Sequence, residues 1–339
     1  MDAIEAAQVL SEIGYLLRQD PKERFRAKAF SAAAWSLALQ RPNLVDLQRA
    51  ENLTSIEGVG EGIARVLADV IQTGQSRYLN RLREQFKQPA RDDESDLDLG
   101  DYQGDVHSHT DWSDGRATML EMAQGAQALG YSYLGITDHS PRITVVHGLN
   151  AERLVAQSRE MAEVQSQVDG LTLLQGIEVD ILEDGSLDLP DAVLEILDIV
   201  IASPHVKLRM ERAAMTERML RAVEHPHVDV IGHPTGRRPG SRAGADYDFE
   251  AVFRAAAARG VVLEMDCDPA RMDLSPELAR LAAAAGCRLS LDSDAHAPDQ
   301  LLYVDLAMWT ARRAGIGTER LVNWLPLTDL KEEVLCRDG

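Results

Sequence analysis

Seven short apolar runs between residues 103 and 296 constrain the fold of this 339-residue chain more than any other feature. The runs are β-rich and alternate with segments in which apolar residues recur at helical spacing. They occupy residues 105–107, 134–139, 173–178, 199–205, 230–233, 262–268 and 289–296. Such alternation is typical of a parallel α/β fold, because parallel strands need a crossover helix between them. We therefore expect residues 103–339 to form one α/β domain.

The ends of these runs carry side chains that bind metals well. Nine such residues lie at or just after the strand ends, with one of them in the loop after the first run: His107, His109, Asp114, His139, Glu178, His205, His233, Asp294 and His296. Six of the nine histidines of the chain belong to this set, and only His147, His225 and His227 do not. Loops after parallel strands converge on one mouth of a barrel, so we expect the nine side chains to form one site.

The types and spacing of these residues indicate metal binding. Two residues that are two positions apart on a strand share a face, as expected for His107 with His109 and for Asp294 with His296. A single histidine is more often a structural residue than a ligand, but two such pairs with a glutamate in one domain favour a metal site. Imidazole and carboxylate ligands without cysteine suit Zn, Mn or Fe. Nine ligands are too many for one ion, and they suffice for three ions if one carboxylate bridges two of them.

Residues 1–87 follow a different pattern and are predicted to be all helical. Within them, Gly58-Val59-Gly60 lies between two short helical segments, in the pattern of a helix-hairpin-helix. Backbone N–H groups that face outward at such a turn bind phosphate. Gly58 and Gly60 are therefore predicted to bind DNA weakly, and the alternative is a tight helical corner that serves only packing. Residues 88–102 combine Pro, Gly and many acidic side chains and are predicted to be a linker.

Charge is distributed unevenly between these regions. The net charge of −20 argues against a general attraction to nucleic acid or to an anionic membrane. Residues 1–90, however, contain 12 basic and 11 acidic residues, whereas the other 249 residues contain 23 and 44. An acidic barrel would repel a long polyanion, and the balanced N-terminal region would not.

Cysteine usage and apolar segments bear on the compartment. Cys267, Cys287 and Cys336 are widely spaced, which suits neither a disulfide framework nor a thiolate zinc site and favours a reducing compartment. Residues 1–19 lack the basic start and the apolar core of a signal peptide. No stretch approaches the roughly 18 uninterrupted apolar residues of a spanning helix. We expect a cytoplasmic protein without a membrane partner, and these patterns do not indicate an oligomeric state.

At the strand ends the sequence resembles the polymerase and histidinol phosphatase (PHP) family. The matching motifs are His107-Ser-His109-Thr-Asp-Trp-Ser-Asp114-Gly, Thr137-Asp-His139-Ser, Gly176-Ile-Glu178, Ser203-Pro-His205, Gly232-His233-Pro-Thr-Gly-Arg237 and Ser293-Asp294-Ala-His296. The resemblance covers about residues 103–325 and implies a distorted (β/α)7 barrel with a trinuclear metal site. It also implies the ligands of each ion, which are His107, His109, Glu178 and Asp294 for the first, Glu178, His205 and His233 for the second, and Asp114, His139 and His296 for the third.

Residues 232–274 resemble most closely the PHP domain of bacterial family X DNA polymerases, and residues 1–87 resemble the N-terminal helical domain of the same polymerases. Two departures limit what this resemblance implies. The 15 residues of the linker are too few for a nucleotidyltransferase palm, so we expect no polymerase activity. Gly62 and Val66 occupy the positions of the lysines that give that helical domain a lyase activity, and without an amine no Schiff base forms.

The expected function is therefore a metal-dependent phosphoester hydrolase with two to three divalent ions of Mn, Zn or Fe. Such ions supply a hydroxide at neutral pH and clamp phosphate oxygens, so the metal ligands Glu178 and Asp294 are predicted to be catalytic. Arg237 and Arg271, each just past a strand end, are predicted to grip the phosphate, with a surface or ion-paired role as the alternative. Asp138 is predicted either to orient the imidazole of His139 or to cap a strand end.

Three functions are compatible with these features. The first is a phosphodiesterase with 3′-5′ exonuclease activity on DNA ends, which the hairpin and the polymerase-type resemblance favour. The second is a small-molecule phosphatase of the histidinol-phosphatase type, which the acidic barrel favours. The third is a non-catalytic DNA-binding module, which the retention of all nine ligands disfavours. If the helical domain docks DNA, its removal is expected to weaken hydrolysis of DNA more than hydrolysis of a small ester.

Overall fold

A sheet of seven parallel strands, arranged in the order of the sequence, lies at the centre of the computed structural model, which describes residues 1–86 and 97–335. The strands are β1 Gly104–Ser108, β2 Tyr133–Ile136, β3 Thr172–Asp180, β4 Ile199–Ser203, β5 Val230–Ile231, β6 Val262–Glu264 and β7 Leu289–Ser290. The longest pairing joins β3 to β4, from Gly176 opposite Ile199 to Asp180 opposite Ser203. Because the strands are parallel and sequential, all their carboxyl ends lie at one edge.

Helices precede the sheet and connect its strands. Within the described residues they are α1 Ala3–Arg18, α2 Arg24–Gln40, α3 Leu44–Arg49, α4 Glu61–Thr73, α5 Arg77–Gln85, α6 Met119–Ala128, α7 Ala151–Gln165, α8 Asp191–Leu194, α9 Arg212–Glu224, α10 Phe249–Arg259, α11 Pro276–Ala284, α12 Tyr303–Ala314 and α13 Leu327–Glu333. Local signals set several of the starts. Asp2 and Glu5 form a capping box on α1, and Ser275 caps α11 immediately before a proline at its first position.

The sheet curls on itself, and the segment after β7 meets β1. Ala295 forms a parallel bridge with Ser108. Two buried carboxylates complete the seam through backbone amides: Asp105 accepts from the amide of Ser293 at 3.0 Å, and Asp292 accepts from the amide of Val106 at 3.1 Å. Side chains thus replace part of a strand ladder, and the expected distorted (β/α)7 barrel is confirmed.

Alternation along the strands divides the barrel core into two apolar clusters. Ile199 and Ile201 of β4 belong to a cluster inside the barrel, whereas Val200 and Ala202 belong to the larger cluster under the surrounding helices. This follows from the period of two in strand side chains. Both faces of the strands are buried, which explains why the sequence shows continuous apolar runs.

The N-terminal helices share their apolar core with the barrel. Met272, Leu306 and Trp309 belong to the same buried cluster as the apolar side chains of α1 to α5. The indole Nε1 of Trp309 donates to the hydroxyl of Ser11 at 3.2 Å, and the amide of Gln8 donates to the carbonyl of Asp305 at 2.9 Å. Residues 1–86 therefore pack directly onto α12.

The end of the segment predicted to be a linker is part of the barrel. Leu97 and Tyr102 are buried in the larger core cluster, and the Tyr102 hydroxyl donates to the carbonyl of Leu291 at 3.0 Å. Residues 88–96 of that segment, and Cys336, lie outside the described residues. In the described part of the chain, no helix combines the length and the apolar character needed to cross a membrane. The cytoplasmic location stays a prediction.

Candidate metal centre

The nine residues predicted to bind metal converge at the carboxyl edge of the barrel. His107 and Glu178 lie within β1 and β3, and the others lie in the loops that follow the strands. His107, His109, Glu178 and His233 are fully buried, and His139 and Asp294 are nearly so. Side chains from six of the seven strand ends, with Asp114 in the loop after β1, thus meet in one place.

Glu178 lies at the centre of the group, and its two oxygens face different histidines. Its Oε1 is 2.7 Å from Nε2 of His233 and 3.1 Å from Nε2 of His205. Its Oε2 is 2.7 Å from Nδ1 of His139 and 3.7 Å from Nε2 of His107. A carboxylate with separate partners on each oxygen can bridge two cations.

His107, His109 and Asp294 form a second close group, whose ligand atoms lie within 4.8 Å of one another. The Nε2 atoms of the two histidines are 3.2 Å apart, and Nε2 of His109 is 3.0 Å from Oδ1 of Asp294. Glu178 approaches both imidazoles at 3.7 Å. This arrangement matches the four residues that the resemblance implies for the first ion.

A third group surrounds Asp114 at the outer side of the site. Its Oδ1 lies 3.4 Å from Nε2 of His139 and 3.3 Å from Nε2 of His296. His139 also belongs to the group of Glu178 and His205, so it lies between two of the three ligand sets. The resemblance assigns it to the third ion alone, and the structure leaves it within reach of both.

The donors present fit divalent cations. Several buried donor atoms lack a hydrogen-bond partner in the described structure: Nδ1 of His109, Nδ1 of His139, Oε2 of Glu178, Nε2 of His205 and Nδ1 of His233. Nδ1 of His139 and Oε2 of Glu178 are 2.7 Å apart but are not aligned for a hydrogen bond. A buried polar atom without a partner costs about 1–3 kcal/mol, so such atoms need compensation. Divalent cations would provide it for the three of these atoms that lie against other members of the site, Nδ1 of His139, Oε2 of Glu178 and Nε2 of His205.

Burial and neighbouring charges shift the pKa values of these residues in different directions. Burial lowers the pKa of His109 to about 3, with His296 and His139 acting in the same direction. Burial and the charge of Arg271 likewise lower the pKa of His233 to about 3. Burial alone would raise the pKa of Glu178, but the surrounding histidines hold it well below its ordinary value. Burial also acts to lower the pKa of the other four histidines, His107, His139, His205 and His296, but neighbouring carboxylates outweigh it and raise their pKa. Because neutral imidazoles bind metals, these four would release a proton on metal binding.

Two acidic residues that sequence reasoning missed orient the histidines. Oε1 of Glu264 is 2.5 Å from Nδ1 of His107, and its other oxygen accepts from the backbone amide of His233. Oδ1 of Asp180 is 3.1 Å from Nδ1 of His205. Such partners fix the ring orientation of metal-binding histidines. Their positions as the last residues of β6 and β3 were the signal that could have identified them.

Asp138 acts on a loop and not on the His139 ring. Its carboxylate accepts from the amide and the hydroxyl of Thr110, at 2.9 and 2.7 Å, and from the hydroxyl of Ser113. These bonds hold the loop that carries Asp114. The two roles predicted for Asp138 were to orient the His139 ring or to cap a strand end, and these contacts show a third one, the anchoring of the loop.

The two arginines predicted to grip phosphate lie in different places. Nε of Arg271 is 3.3 Å from Oδ2 of Asp294, and this arginine lines the cavity above the nine residues, which has a volume of about 450 Å³. Arg237 instead packs its guanidinium over the ring of Tyr15 in α1, 5.5 Å from the centroid, and donates to the carbonyl of Met272. It does not line this cavity, so the position predicted for Arg237 is wrong.

The local backbone explains this difference. Arg238 pairs with Arg242 in an antiparallel bridge, and in such extended backbone neighbouring side chains point to opposite sides. Arg237 therefore faces the helical region, and Arg238 lines the cavity. Arg116, from the loop after β1, lines it as well. Three arginines thus surround the cavity, and sequence reasoning had identified only Arg271.

A second arginine-lined cavity lies at Gly58 and Gly60, and its volume is about 650 Å³. Gly58 adopts φ +76°, and Gly60 is the N-cap of α4 without a side-chain hydrogen bond to the helix. The cations on its wall are Arg26, Arg65, Arg77 and Arg81. The N–H groups of the first turn of α4 are therefore not satisfied by a capping side chain, as at sites where helices bind anions.

Comparisons with known proteins agree with this arrangement. The PHP domain family matches residues 105–265. The DNA polymerase/3′-5′ exonuclease PolX of Bacillus subtilis (strain 168) is 37% identical over 235 residues, which are 69% of this chain and 41% of PolX. A probable phosphatase of Syntrophotalea carbinolica is 30% identical over 239 residues, which are 65% of this chain and 90% of that protein.

A solved structure was also matched, that of histidinol phosphate phosphatase from Lactococcus lactis in complex with zinc, L-histidinol and phosphate. It covers 63% of this chain and 94% of its own, with 17% sequence identity and a TM-score of 0.46. The family of this chain is shown by the family match and the sequence identities, without this structure. Together with the converging histidines and carboxylates, they establish that the chain belongs to the PHP family of metal-dependent phosphoester hydrolases.

Proposed function

We propose that this enzyme is a phosphodiesterase that removes nucleotides from the 3′ end of single-stranded DNA. The observation that carries the proposal is the presence of two arginine-lined cavities on one chain, one above the nine converging residues and one at Gly58 and Gly60. We expect a substrate with many phosphates to contact both cavities, whereas a small monoester can occupy only one. The 37% identity to a PolX named as a 3′-5′ exonuclease supports the same choice, although the chain spans only 41% of that protein.

The nine residues would hold two to three ions of Mn, Zn or Fe in three sets, of which the first two share Glu178. His107, His109, Glu178 and Asp294 would hold the first ion, Glu178, His205 and His233 the second, and Asp114, His139 and His296 the third. When bound, such ions neutralise phosphate charge and make water acidic enough to react near neutral pH. The central position of Glu178 supports its role as the bridging ligand.

The protein groups around these ions bind and orient the phosphate. Arg271 is held by Asp294 and by Asp266, whose Oδ2 lies 3.4 Å from its Nε, so its guanidinium is fixed at the edge of the site. Arg116 and Arg238 line the same cavity and supply further donors for non-bridging oxygens. Glu264 and Asp180 keep the rings of His107 and His205 in place.

The cavity at Gly58 and Gly60 docks the DNA backbone away from the scissile bond. Outward N–H groups of the first turn of α4 and the nearby Arg26, Arg65 and Arg81 bind phosphates without reading bases. Such contacts release counterions, so their contribution falls as salt rises. The helical region therefore adds affinity only for a substrate long enough to span both cavities.

A small-molecule phosphatase is the second candidate, and a specific observation favours it. Relatives named as probable phosphatases match this chain over 89–90% of their own length, and those matches cover 65–66% of this chain. The matched segment is thus close to a complete phosphatase-sized protein. In this alternative the arginines around the metal cavity enclose a terminal phosphate.

One comparison decides between the candidates. With a single enzyme preparation and one metal, shortening of a 5′-labelled oligodeoxynucleotide is measured beside phosphate release from histidinol phosphate. The proposal expects shortening from the 3′ end. Rapid phosphate release without shortening would overturn it in favour of the phosphatase.

The second cavity is tested by a double variant of the full chain, Arg65→Gln with Arg81→Gln. Both side chains are exposed on the cavity wall, and the variant is expected to lower kcat/KM for a long oligonucleotide by about 10-fold at low salt. Hydrolysis of a dinucleotide should stay unchanged. Arg254→Gln, an exposed charge removal on α10, is the matched control. Equal effects on both substrates, or none on either, would remove the docking role.

A further inference from the structure

The metal cavity has an apolar and aromatic side that phosphate chemistry does not require. Ile143 and Val146 from the loop after β2 and Tyr303 at the start of α12 line it, together with the three arginines. A site for inorganic phosphate or a short polar ester needs charged groups and hydrogen-bond donors only. The apolar side therefore indicates that part of the substrate is itself flat or apolar.

Tyr303 is held in place by a residue of the N-terminal helices. Its ring lies 5.2 Å from the ring of Trp35 in α2, at an interplanar angle of 55°, and it remains partly exposed to the cavity. Tilted aromatic pairs of this spacing are attractive. The contact with Trp35 covers one face or edge of the Tyr303 ring and restricts its rotation. The ring is therefore already oriented before a ligand binds.

The cavity places cationic side chains beside the aromatic ring of Tyr303, as a nucleotide places its phosphate beside its base. Arg116, Arg238 and Arg271 offer donors to a phosphate, and the aromatic ring shares the same cavity of about 450 Å³. A nucleobase is a flat π system joined to its phosphate through one sugar. Stacking of a base on an aromatic side chain tolerates any sequence, because every base has a π face.

We propose that Tyr303 is the stacking platform for the 3′-terminal base of the substrate and that Trp35 positions it. The inference rests on the proposed nuclease function and specifies what the enzyme recognises at the DNA end. It also assigns to the helical region a role next to the metal cavity, besides the docking of distant phosphates.

The test compares two oligodeoxynucleotides that differ only at the 3′ terminus, one with a normal nucleotide and one with an abasic deoxyribose. Wild-type enzyme is expected to prefer the normal end in kcat/KM by about 5- to 100-fold, as base–aromatic stacking predicts. Tyr303→Leu should abolish this preference, and Tyr303→Phe should keep it because the ring remains. Trp35→Leu should raise KM for the normal end and leave KM for the abasic end unchanged, which loss of structure alone would not do.

A binding measurement accompanies turnover. The ratio of the dissociation constants of 2-deoxyribose 5-phosphate and dAMP, measured on the metal-loaded wild type, is expected to fall in the same range of about 5 to 100 and to approach one in Tyr303→Leu. Phe25→Leu is the matched control, since Phe25 is an aromatic residue of α2 that is 86% exposed and lies outside the cavity lining. Circular dichroism and the melting temperature of each variant report folding.

The outcomes separate this inference from the proposed function. If the wild type shortens both oligonucleotides equally and binds both probes equally, the stacking platform is overturned while the nuclease stands. If the wild type shortens neither oligonucleotide, the nuclease fails, and the ratio of the two dissociation constants then decides on the platform alone. A ratio of dissociation constants near one in the wild type overturns the stacking platform. A ratio well above one that falls to about one in Tyr303→Leu supports it.

Discussion

At the scale of single residues, the site depends most on Glu178, whose two oxygens approach five histidines between 2.7 and 3.7 Å. The change Glu178→Gln removes the charge and one acceptor at the point where the ligand sets overlap. We expect bound metal to fall from two to three equivalents to at most one, and hydrolysis of a chromogenic phosphoester to fall by more than about 100-fold, beyond the 10–100-fold typical of outer partners. Elemental analysis and turnover, with Glu163→Gln on the surface of α7 as control, measure both. Intact activity would contradict the bridging role.

Glu264 tests the outer partners at the same scale. It is fully buried and contacts both the His107 ring and the backbone of His233. Glu264→Gln keeps the shape but turns one acceptor oxygen into a donor, so either the contact with the His107 ring or the bond from the His233 backbone amide is lost. We expect metal affinity to weaken by about 10–100-fold, measured by competition with a chelator of known affinity. Unchanged affinity would make Glu264 a packing residue of the barrel.

At the scale of elements, α12 connects the barrel to the N-terminal helices and carries a buried acid at the contact. Burial raises the pKa of Asp305 to about 6, against the lowering effect of Arg41, whose Nη2 is 3.0 Å away. The folded protein thus holds this proton more tightly than the unfolded chain, in which an aspartate titrates near 3.9. Its stabilising contribution is present below the unfolded pKa and is lost as pH rises through the folded one.

The free energy of unfolding of wild type relative to Asp305→Asn should therefore fall by about 1 kcal/mol between roughly pH 5.5 and 7.5. Denaturant unfolding of both proteins at the two pH values gives this difference directly. A difference that is independent of pH would mean that Asp305 is already ionised in the folded protein across this range. Comparison at two pH values also cancels any effect of the amide on helix capping that is the same at both.

At the scale of the whole molecule, residues 1–86 and the barrel are expected to unfold together, because they share one apolar core. Deleting residues 1–90 exposes Met272, Leu306 and Trp309, each at most 6% exposed in the full chain. Loss of burial costs about 1.5–3 kcal/mol for each large apolar side chain. We expect the deleted form to aggregate or to melt at a lower temperature, and to lose hydrolysis of a small ester as well as of DNA.

This outcome differs from the one expected from sequence, in which deletion weakens hydrolysis of DNA more than hydrolysis of the small ester. Scanning calorimetry of the full chain should show one transition, and two separated transitions would contradict the shared core. The point variants at Arg65 and Arg81 are for this reason a sharper test of DNA docking than the deletion. They change the charge of the cavity at Gly58 and Gly60 and leave the apolar contacts with α12 in place.

The sequence by itself determined the alternation of strands and helices and the nine side chains that converge at the strand ends, and the barrel followed from the family resemblance. The alternation and the nine side chains depend on local periodicity and on the rule that parallel strands end at one edge, so each could be read within a few positions of the chain. Only the tertiary structure decided which groups orient the histidines and which arginines reach the cavity. Glu264 meets His107 across 157 positions, and Arg237 meets Tyr15 across 222. Contacts over such separations depend on how the barrel closes and on how the N-terminal helices pack against α12, and no local pattern encodes either.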